Sequence, residues 1–124
     1  MSKPLGGKVA IVTGGGSGIG HALCLELSHR GATVVVVDIN AEQVARTVEE
    51  IANSGGSASG FPLDVSDASG LNLLVRDTVD RYNRIDFMFN NAGIGWSGDY
   101  QDMSPADVER LVGINLRGVL QGTL

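Results

Sequence analysis

The 124-residue chain contains 43 % hydrophobic residues and carries a net charge of −5, which is typical of one globular domain with a substantial core. The acidic balance argues against a nucleic-acid surface, and no apolar run is long enough to span a membrane. Cys24 is the single cysteine, so no intrachain disulfide can form, and the N-terminus lacks the apolar segment of a signal peptide. We therefore expect a cytoplasmic protein that binds neither nucleic acid nor membrane.

The first predicted strand, residues 8–13, leads into a glycine-rich turn and then into a predicted helix over residues 18–30. Residues 13–20 read TGGGSGIG, and such glycines permit a tight turn and a close approach of the backbone to a ligand. The N-terminus of the following helix offers unpaired N–H groups and the positive end of the helix dipole. This context predicts a site for the pyrophosphate of a dinucleotide, with a plain glycine turn as the alternative.

The second predicted strand, residues 32–37, contains four consecutive valines and ends at Asp38. In a βαβ unit this carboxylate lies at the carboxyl end of the strand next to the glycine turn. There it can accept hydrogen bonds from both ribose hydroxyls of an adenosine, and it would repel a 2′-phosphate. The position favours NAD over NADP, and the alternative is an aspartate that only initiates the next helix.

The remaining chain continues the alternation of strands and helices. A helix begins after Asn40, a third strand covers residues 58–63 and contains Pro62, and Ser66 is the expected N-cap of the next helix. A fourth strand covers residues 85–89, and a last helix begins at Ser104 and continues to the end of the chain. On the first helix we expect an inward face of Ile19, Ala22, Leu23 and Leu27.

This alternation predicts an α/β fold: a Rossmann-like, doubly wound parallel sheet in the order 3-2-1-4, with a ligand crevice between strands 1 and 4. Proline agrees with an edge position for strand 3. Strand 4 is apolar and lacks proline and lysine, so it is not a typical edge strand. We therefore expect residues 1–124 to be a dinucleotide-binding domain that is truncated within the helix after strand 4.

In their order, these motifs resemble the N-terminal half of the short-chain dehydrogenase/reductase family over essentially all of residues 6–124. The resemblance implies that Asn90 and Asn91 stabilise the sheet near the cofactor ribose, and that Asn115 is a catalytic residue that helps to hold a water in a proton relay. From the residues alone, Asn115 is equally suited to bonding a neighbouring backbone group, and the asparagines at 90 and 91 are suited to a turn. The cofactor-binding residues that the resemblance implies are Thr13, Gly14, Gly16, Ser17, Gly18, Ile19, Gly20, Asp38, Ile39, Asp64, Val65, Asn91, Ala92 and Gly93.

One part of the family pattern is missing from this sequence. The family's chemistry uses a serine, a tyrosine and a lysine, with the last two in a Tyr-x-x-x-Lys step. Tyr82 is followed four positions later by Asp86, Tyr100 is followed by Ser104, and no lysine occurs after Lys8. We therefore expect the 124-residue chain alone to be inactive.

Three hypotheses follow. The first is an oxidoreductase that transfers hydride between NAD and a small-molecule secondary alcohol or carbonyl, without a metal. The resemblance implies a homo-oligomer, since dimers or tetramers are common in the family. The second is a catalytically silent dinucleotide-binding module that acts through a partner chain. The third is a chain that does not fold stably alone and whose unpaired strand and apolar helix face make it prone to aggregate.

Overall fold

The computed structural model describes residues 3–91, and the structural statements below concern this part of the chain. Ala92, Gly93, Asn115 and the predicted last helix lie outside it. The described elements are β1 (Val9–Thr13), α1 (Gly18–His29), β2 (Thr33–Asp38), α2 (Ala41–Asn53), β3 (Ala58–Pro62), α3 (Ala68–Tyr82) and β4 (Phe87–Asn90). None of these helices is long and apolar enough to cross a lipid bilayer.

The strands of residues 3–91 form one parallel sheet in the order β3-β2-β1-β4, which confirms the predicted fold class and strand order. β3 lies at one edge of the sheet, as Pro62 predicts, because a proline nitrogen cannot donate to a neighbouring strand. β1 and β2 lie in the middle of the sheet. Their carboxyl ends meet at one edge, where Thr13 is in register with Val37 on one side and with Asn90 on the other.

The hydrophobic core covers both faces of the two central strands. All five residues of β1 and the four valines of β2 are buried, as expected for strands that are covered on both sides. Side chains alternate across a strand, so successive residues enter opposite halves of the core. Val12 and Val36 pack with residues of α1 and α2, whereas Ile11 and Val35 pack with Leu74 of α3.

The helix starts confirm one predicted cap and correct another. Asn40 caps α2, and its side chain accepts a hydrogen bond from the Gln43 N–H at 3.1 Å. Ser66 is not the cap of α3. The cap is Asp67, whose carboxylate accepts from the Gly70 N–H at 3.1 Å. The Ser66 hydroxyl instead donates to Asp64 at 2.8 Å, because Asp64 forms its own turn with the residues that follow it.

The predicted inward face of α1 is only partly correct. Leu27 is buried, but Ala22 is exposed. The buried residues of α1 are Gly20, Cys24, Leu27 and Ser28, so three of the four are small. Small residues at these positions let the helix axis approach the strands closely, which a count of large apolar residues does not detect.

Asp86 links the amino ends of β1 and β4 by hydrogen bonds, at the opposite end of the sheet from the glycine turn. Its carboxylate accepts from the Val9 N–H at 2.8 Å and receives two hydrogen bonds from the Arg84 guanidinium at 2.7 and 2.8 Å. The Lys8 ammonium lies 3.9 Å away. Partial burial acts to raise the pKa of Asp86, but the bonds from Arg84 and Val9 and the charges of Arg84 and Lys8 outweigh it, so the pKa lies below its usual range.

This lowered pKa predicts how acid destabilises the protein. A carboxyl whose pKa is lower in the folded state contributes stability that is present above its unfolded pKa, about 3.9, and is lost as the pH falls through the folded value. We expect Asp86→Asn to lower the free energy of unfolding by about 1–2 kcal/mol at neutral pH, with a smaller difference from the original chain below about pH 4.

Urea unfolding at several pH values measures this difference. Asp80→Asn is the control, because it removes the same charge from an exposed position on α3. Equal stability of Asp86→Asn and the original chain at neutral pH would contradict the role given to Asp86.

Candidate functional site

The glycine turn after β1 has the backbone geometry that its sequence predicts. Gly14 and Gly18 adopt φ values of +68° and +59°, in the left-handed region that side chains disfavour. The buried Thr13 hydroxyl donates to the Phe89 carbonyl at 3.2 Å and so joins the ends of β1 and β4. The turn therefore starts from the point where two strand ends are held together.

Gly20 brings the first turn of α1 against the start of the glycine turn. A Cβ at Gly20 would overlap the carbonyl group of Gly14 and would lie 2.9 Å from the Nδ2 atom of Asn91. Gly20 therefore permits the backbone of α1 to contact the backbone of the glycine turn. The Asn91 amide lies beside the same turn, where an asparagine after β4 is predicted to border the cofactor.

The N-terminus of α1 differs chemically from those of α2 and α3. Ser17 is its N-cap and has an extended backbone, but its side chain makes no capping hydrogen bond, and no acidic residue occurs in the first turn. The caps of α2 and α3, in contrast, each use a side-chain oxygen. A helix N-terminus with no side-chain cap and no acidic residue in its first turn is the arrangement that suits a phosphate group.

Asp38 lies beside the glycine turn, as its position at the end of β2 predicts. Its Oδ2 atom accepts from the Gly16 N–H at 3.0 Å, and Oδ1 accepts from the Asn40 N–H at 3.2 Å. A carboxylate has about four acceptor positions, so two remain for hydroxyl donors. The next side chain, Ile39, is 70 % exposed and presents an apolar surface at the same edge.

Gly16 is held close to this carboxylate. A Cβ at Gly16 would lie 2.7 Å from the Gln43 Cβ and 2.9 Å from the Asp38 Oδ2 atom. A side chain at position 16 would therefore displace either α2 or the carboxylate. The requirement for glycine here comes from the protein's own packing.

Asp64 and Val65 follow the edge strand β3. Pro62 is in register with Asp38, so Asp64 lies two residues beyond the same edge of the sheet. Hydrogen bonds from the Ser66 N–H and then from the Ser66 hydroxyl hold the pKa of Asp64 below its usual range. Asp64 is exposed and Val65 is partly buried.

The structure thus brings residues 13–20, Asp38, Ile39 and Asn91 to the carboxyl edge of the central strands, and it places Asp64 and Val65 at the outer part of the same edge. In open parallel sheets, ligands bind at this edge, where the strand order reverses. Within residues 3–91 no cluster of three histidine, cysteine or acidic side chains is arranged to hold a metal ion.

Thr47 on α2 also contacts the glycine turn and is not among the residues predicted for the site. Its buried hydroxyl donates to the Gly15 carbonyl at 3.1 Å. The signal in the sequence is a hydroxyl residue within the apolar face of α2, between Val44 and Ile51. The Cys24 sulfur lies 4.0 Å from the same carbonyl, and burial raises the pKa of this thiol to about 12, so it remains a neutral, weak donor.

Comparison with known proteins identifies the family. The family model described as short chain dehydrogenase matches residues 8–124. The chain belongs to the short-chain dehydrogenase/reductase family. The fold of this family binds a nicotinamide dinucleotide, its members are oxidoreductases, and they act on small-molecule substrates. The resemblance stated from the motifs is therefore confirmed.

Individual members of the short-chain dehydrogenase/reductase family match most of this chain. The subunit BbsD of (2S)-[(R)-hydroxy(phenyl)methyl]succinyl-CoA dehydrogenase from Thauera aromatica is 36 % identical over 111 residues, which are 90 % of this chain and 45 % of that protein. An NAD⁺-bound xylitol dehydrogenase has a TM-score of 0.71 at 32 % identity and covers 95 % of this chain and 46 % of its own. A metagenomic short-chain oxidoreductase in complex with NADP has a TM-score of 0.71 at 33 % identity, with coverages of 87 % and 50 %.

The chain spans about half the length of these relatives. Both NAD and NADP occur in the similar structures, so family membership alone does not select one of the two cofactors.

Proposed function

We propose that this chain supplies the cofactor-binding half of an NAD-dependent oxidoreductase, which transfers hydride between NAD and a secondary alcohol or carbonyl of a small molecule. The observation that carries the choice of NAD is the contact between Asp38 and Gly16. This contact holds a negative charge beside the glycine turn, and such a charge accepts hydrogen bonds from ribose hydroxyls and repels a 2′-phosphate.

The residues around Asp38 support the same choice. Sequence positions 14–20 and 38–41 contain no lysine or arginine that could pair with a 2′-phosphate. The exposed apolar face of Ile39 suits contact with the flat adenine ring. An adenosine with free 2′- and 3′-hydroxyls therefore fits the residues at this edge better than a phosphorylated one.

Each part of the site has a proposed role. Residues 14–20 form the pyrophosphate site, where the N-terminus of α1 offers backbone N–H groups, and Asp38 accepts from the ribose. Asp64 and Val65 border the adenine. The residues proposed to line the remaining part of the site, nearest the second ribose, are Thr13, Asn91, Ala92 and Gly93.

The chemical step requires residues beyond those in this sequence. A bound nicotinamide supplies the atom that gives or accepts hydride. Asn115 is proposed to hold a water that carries the proton, whereas the serine, tyrosine and lysine of the family's proton transfer have no counterpart among the 124 residues. We therefore propose that the chain alone binds the cofactor without turning over substrate.

Isothermal calorimetry of the chain with NAD⁺ and with NADP⁺ tests the proposal. We expect saturable binding of NAD⁺, at least about tenfold tighter than that of NADP⁺, because one charge-assisted contact is worth about 1.5–3 kcal/mol. Tighter binding of NADP⁺ would overturn the choice of cofactor, and binding of neither nucleotide would overturn the site. An activity assay tests whether the chemical step needs further residues. We expect hydride transfer by a longer product that includes a Tyr-x-x-x-Lys segment, and no hydride transfer by the 124-residue chain.

A further inference from the structure

Thr47 bonds to a single peptide group of the glycine turn, the one that joins Gly15 to Gly16. The carbonyl of this peptide accepts from the Thr47 hydroxyl at 3.1 Å, and its N–H donates to Asp38 at 3.0 Å. Thr47 is 1 % exposed, and the two bonded residues are 32 positions apart in the chain. One peptide plane is thus held at its two ends by α2 and by the end of β2.

The surroundings of Gly15 restrict this peptide further. The Gly15 N–H donates to the Val37 carbonyl at 2.9 Å, which ties the preceding peptide to β2. A Cβ at Gly15 would lie 2.9 Å from the Val36 Cγ1 atom and 3.0 Å from the Cys24 sulfur, so the position has no room for a side chain. Rotation of the Gly15–Gly16 peptide would break the hydrogen bond from the Thr47 hydroxyl, which therefore opposes that rotation.

The apolar face of α2 does not itself require a hydroxyl at this position. Val44 and Ile51 on the same face are buried in the core, and valine has nearly the shape of threonine. The contribution of the Thr47 hydroxyl is therefore its hydrogen bond to the Gly15 carbonyl. A buried carbonyl that loses this donor would retain only the weak and distant thiol of Cys24.

We propose that Thr47 is a positioning residue for the dinucleotide site. By fixing the Gly15–Gly16 peptide, it directs the Gly16 N–H at one oxygen of Asp38 and so orients the carboxylate whose remaining lone pairs face the ribose hydroxyls. This inference rests on the proposed function of Asp38. It predicts that Thr47, which lies on a different helix, influences the preference between NAD and NADP.

The test compares Thr47→Val and Thr47→Ser with Thr78→Val. Thr78 is the matched control, because it is also 1 % exposed and its hydroxyl donates to the Leu74 carbonyl of its own helix at 2.8 Å, away from the turn. We expect Thr47→Val to weaken NAD⁺ binding about 3- to 10-fold and to reduce the ratio of NAD⁺ to NADP⁺ affinity. Thr47→Ser should restore both values, and Thr78→Val should change neither.

Hydrogen exchange of the Gly16 amide, measured without nucleotide, separates this inference from the proposed function. We expect Thr47→Val to accelerate exchange at Gly16 and to leave the amides of Val35 and Val36 unchanged. Failure of the original chain to bind either nucleotide would overturn the proposed function, while accelerated Gly16 exchange would still support the role of Thr47 in fixing the peptide.

The inference is overturned if Thr47→Val has the original nucleotide affinities and the original Gly16 exchange. If Thr47→Val does not fold, Thr47→Cys takes its place, because it retains a weaker donor of similar size. Its NAD⁺ affinity should then lie below that of Thr47→Ser, and an equal affinity would overturn the inference.

Discussion

Replacement of Gly20 by alanine is expected to remove nearly all dinucleotide binding. The added Cβ would overlap the Gly14 carbonyl group, which is backbone and cannot rotate away as the end of a long side chain can. The turn must therefore move away from α1. We expect a loss of NAD⁺ affinity on the order of 100-fold, by analogy with the rate loss that a misplacement of about 1 Å can cause in a catalytic site. The free energy of unfolding should fall by about 1–3 kcal/mol.

Gly70→Ala provides a matched control for this substitution. Gly70 is the third residue of α3, as Gly20 is of α1, and both are buried. Its added Cβ would meet the Cδ1 atom of Leu63, the movable end of a side chain. We expect Gly70→Ala to bind NAD⁺ as the original chain does. Calorimetry and urea unfolding of both variants measure the difference, and similar NAD⁺ affinities would show that the turn does not bind the dinucleotide.

Removal of the charge of Asp38 is expected to reverse or abolish the cofactor preference. In Asp38→Asn, the amide oxygen can still accept from the Gly16 N–H, while the negative charge and the acceptor of the Asn40 N–H are lost. We expect NAD⁺ affinity to fall about tenfold, and NADP⁺ affinity to rise because the repulsion of its 2′-phosphate is removed. Asp38→Ala should weaken NAD⁺ further, since the Gly16 N–H also loses its partner.

Two comparisons make the Asp38 result specific. Glu49→Gln removes the same charge from an exposed position on α2 and should leave the affinity ratio unchanged. Titrations at low and high salt separate a long-range charge effect, which salt screens, from a direct contact. An unchanged ratio of NAD⁺ to NADP⁺ affinity in both Asp38 variants would contradict the proposed contact between Asp38 and the ribose.

The pattern of strands and helices was predictable because it rests on local properties of the chain. Runs of apolar residues mark strands that are covered on both faces, and the glycines and caps mark where helices begin. Once four strands alternate with helices, right-handed crossovers leave few strand orders, and Pro62 assigns one edge. The position of Asp38 beside the glycine turn follows from this topology, since neighbouring parallel strands end at the same edge.

Choices among neighbouring polar residues were less predictable. Asp64, Ser66 and Asp67 can each accept a hydrogen bond from a nearby N–H, and the sequence does not show which of them meets the first turn of α3. The structure assigns the cap to Asp67 and the preceding turn to Asp64. The buried face of α1 was only partly predicted, because close packing selects small residues such as Gly20 and Cys24.

The sequence by itself therefore determined the α/β fold, the strand order and the family, because each depends on periodicity and on motifs within short stretches. Only the tertiary structure decided how the Gly15–Gly16 peptide is held. Its two partners, Asp38 and Thr47, lie in other elements of the chain, and a hydrogen bond between residues 32 positions apart has no local pattern. It exists because α2 packs against the sheet at a distance and rotation that the whole core sets.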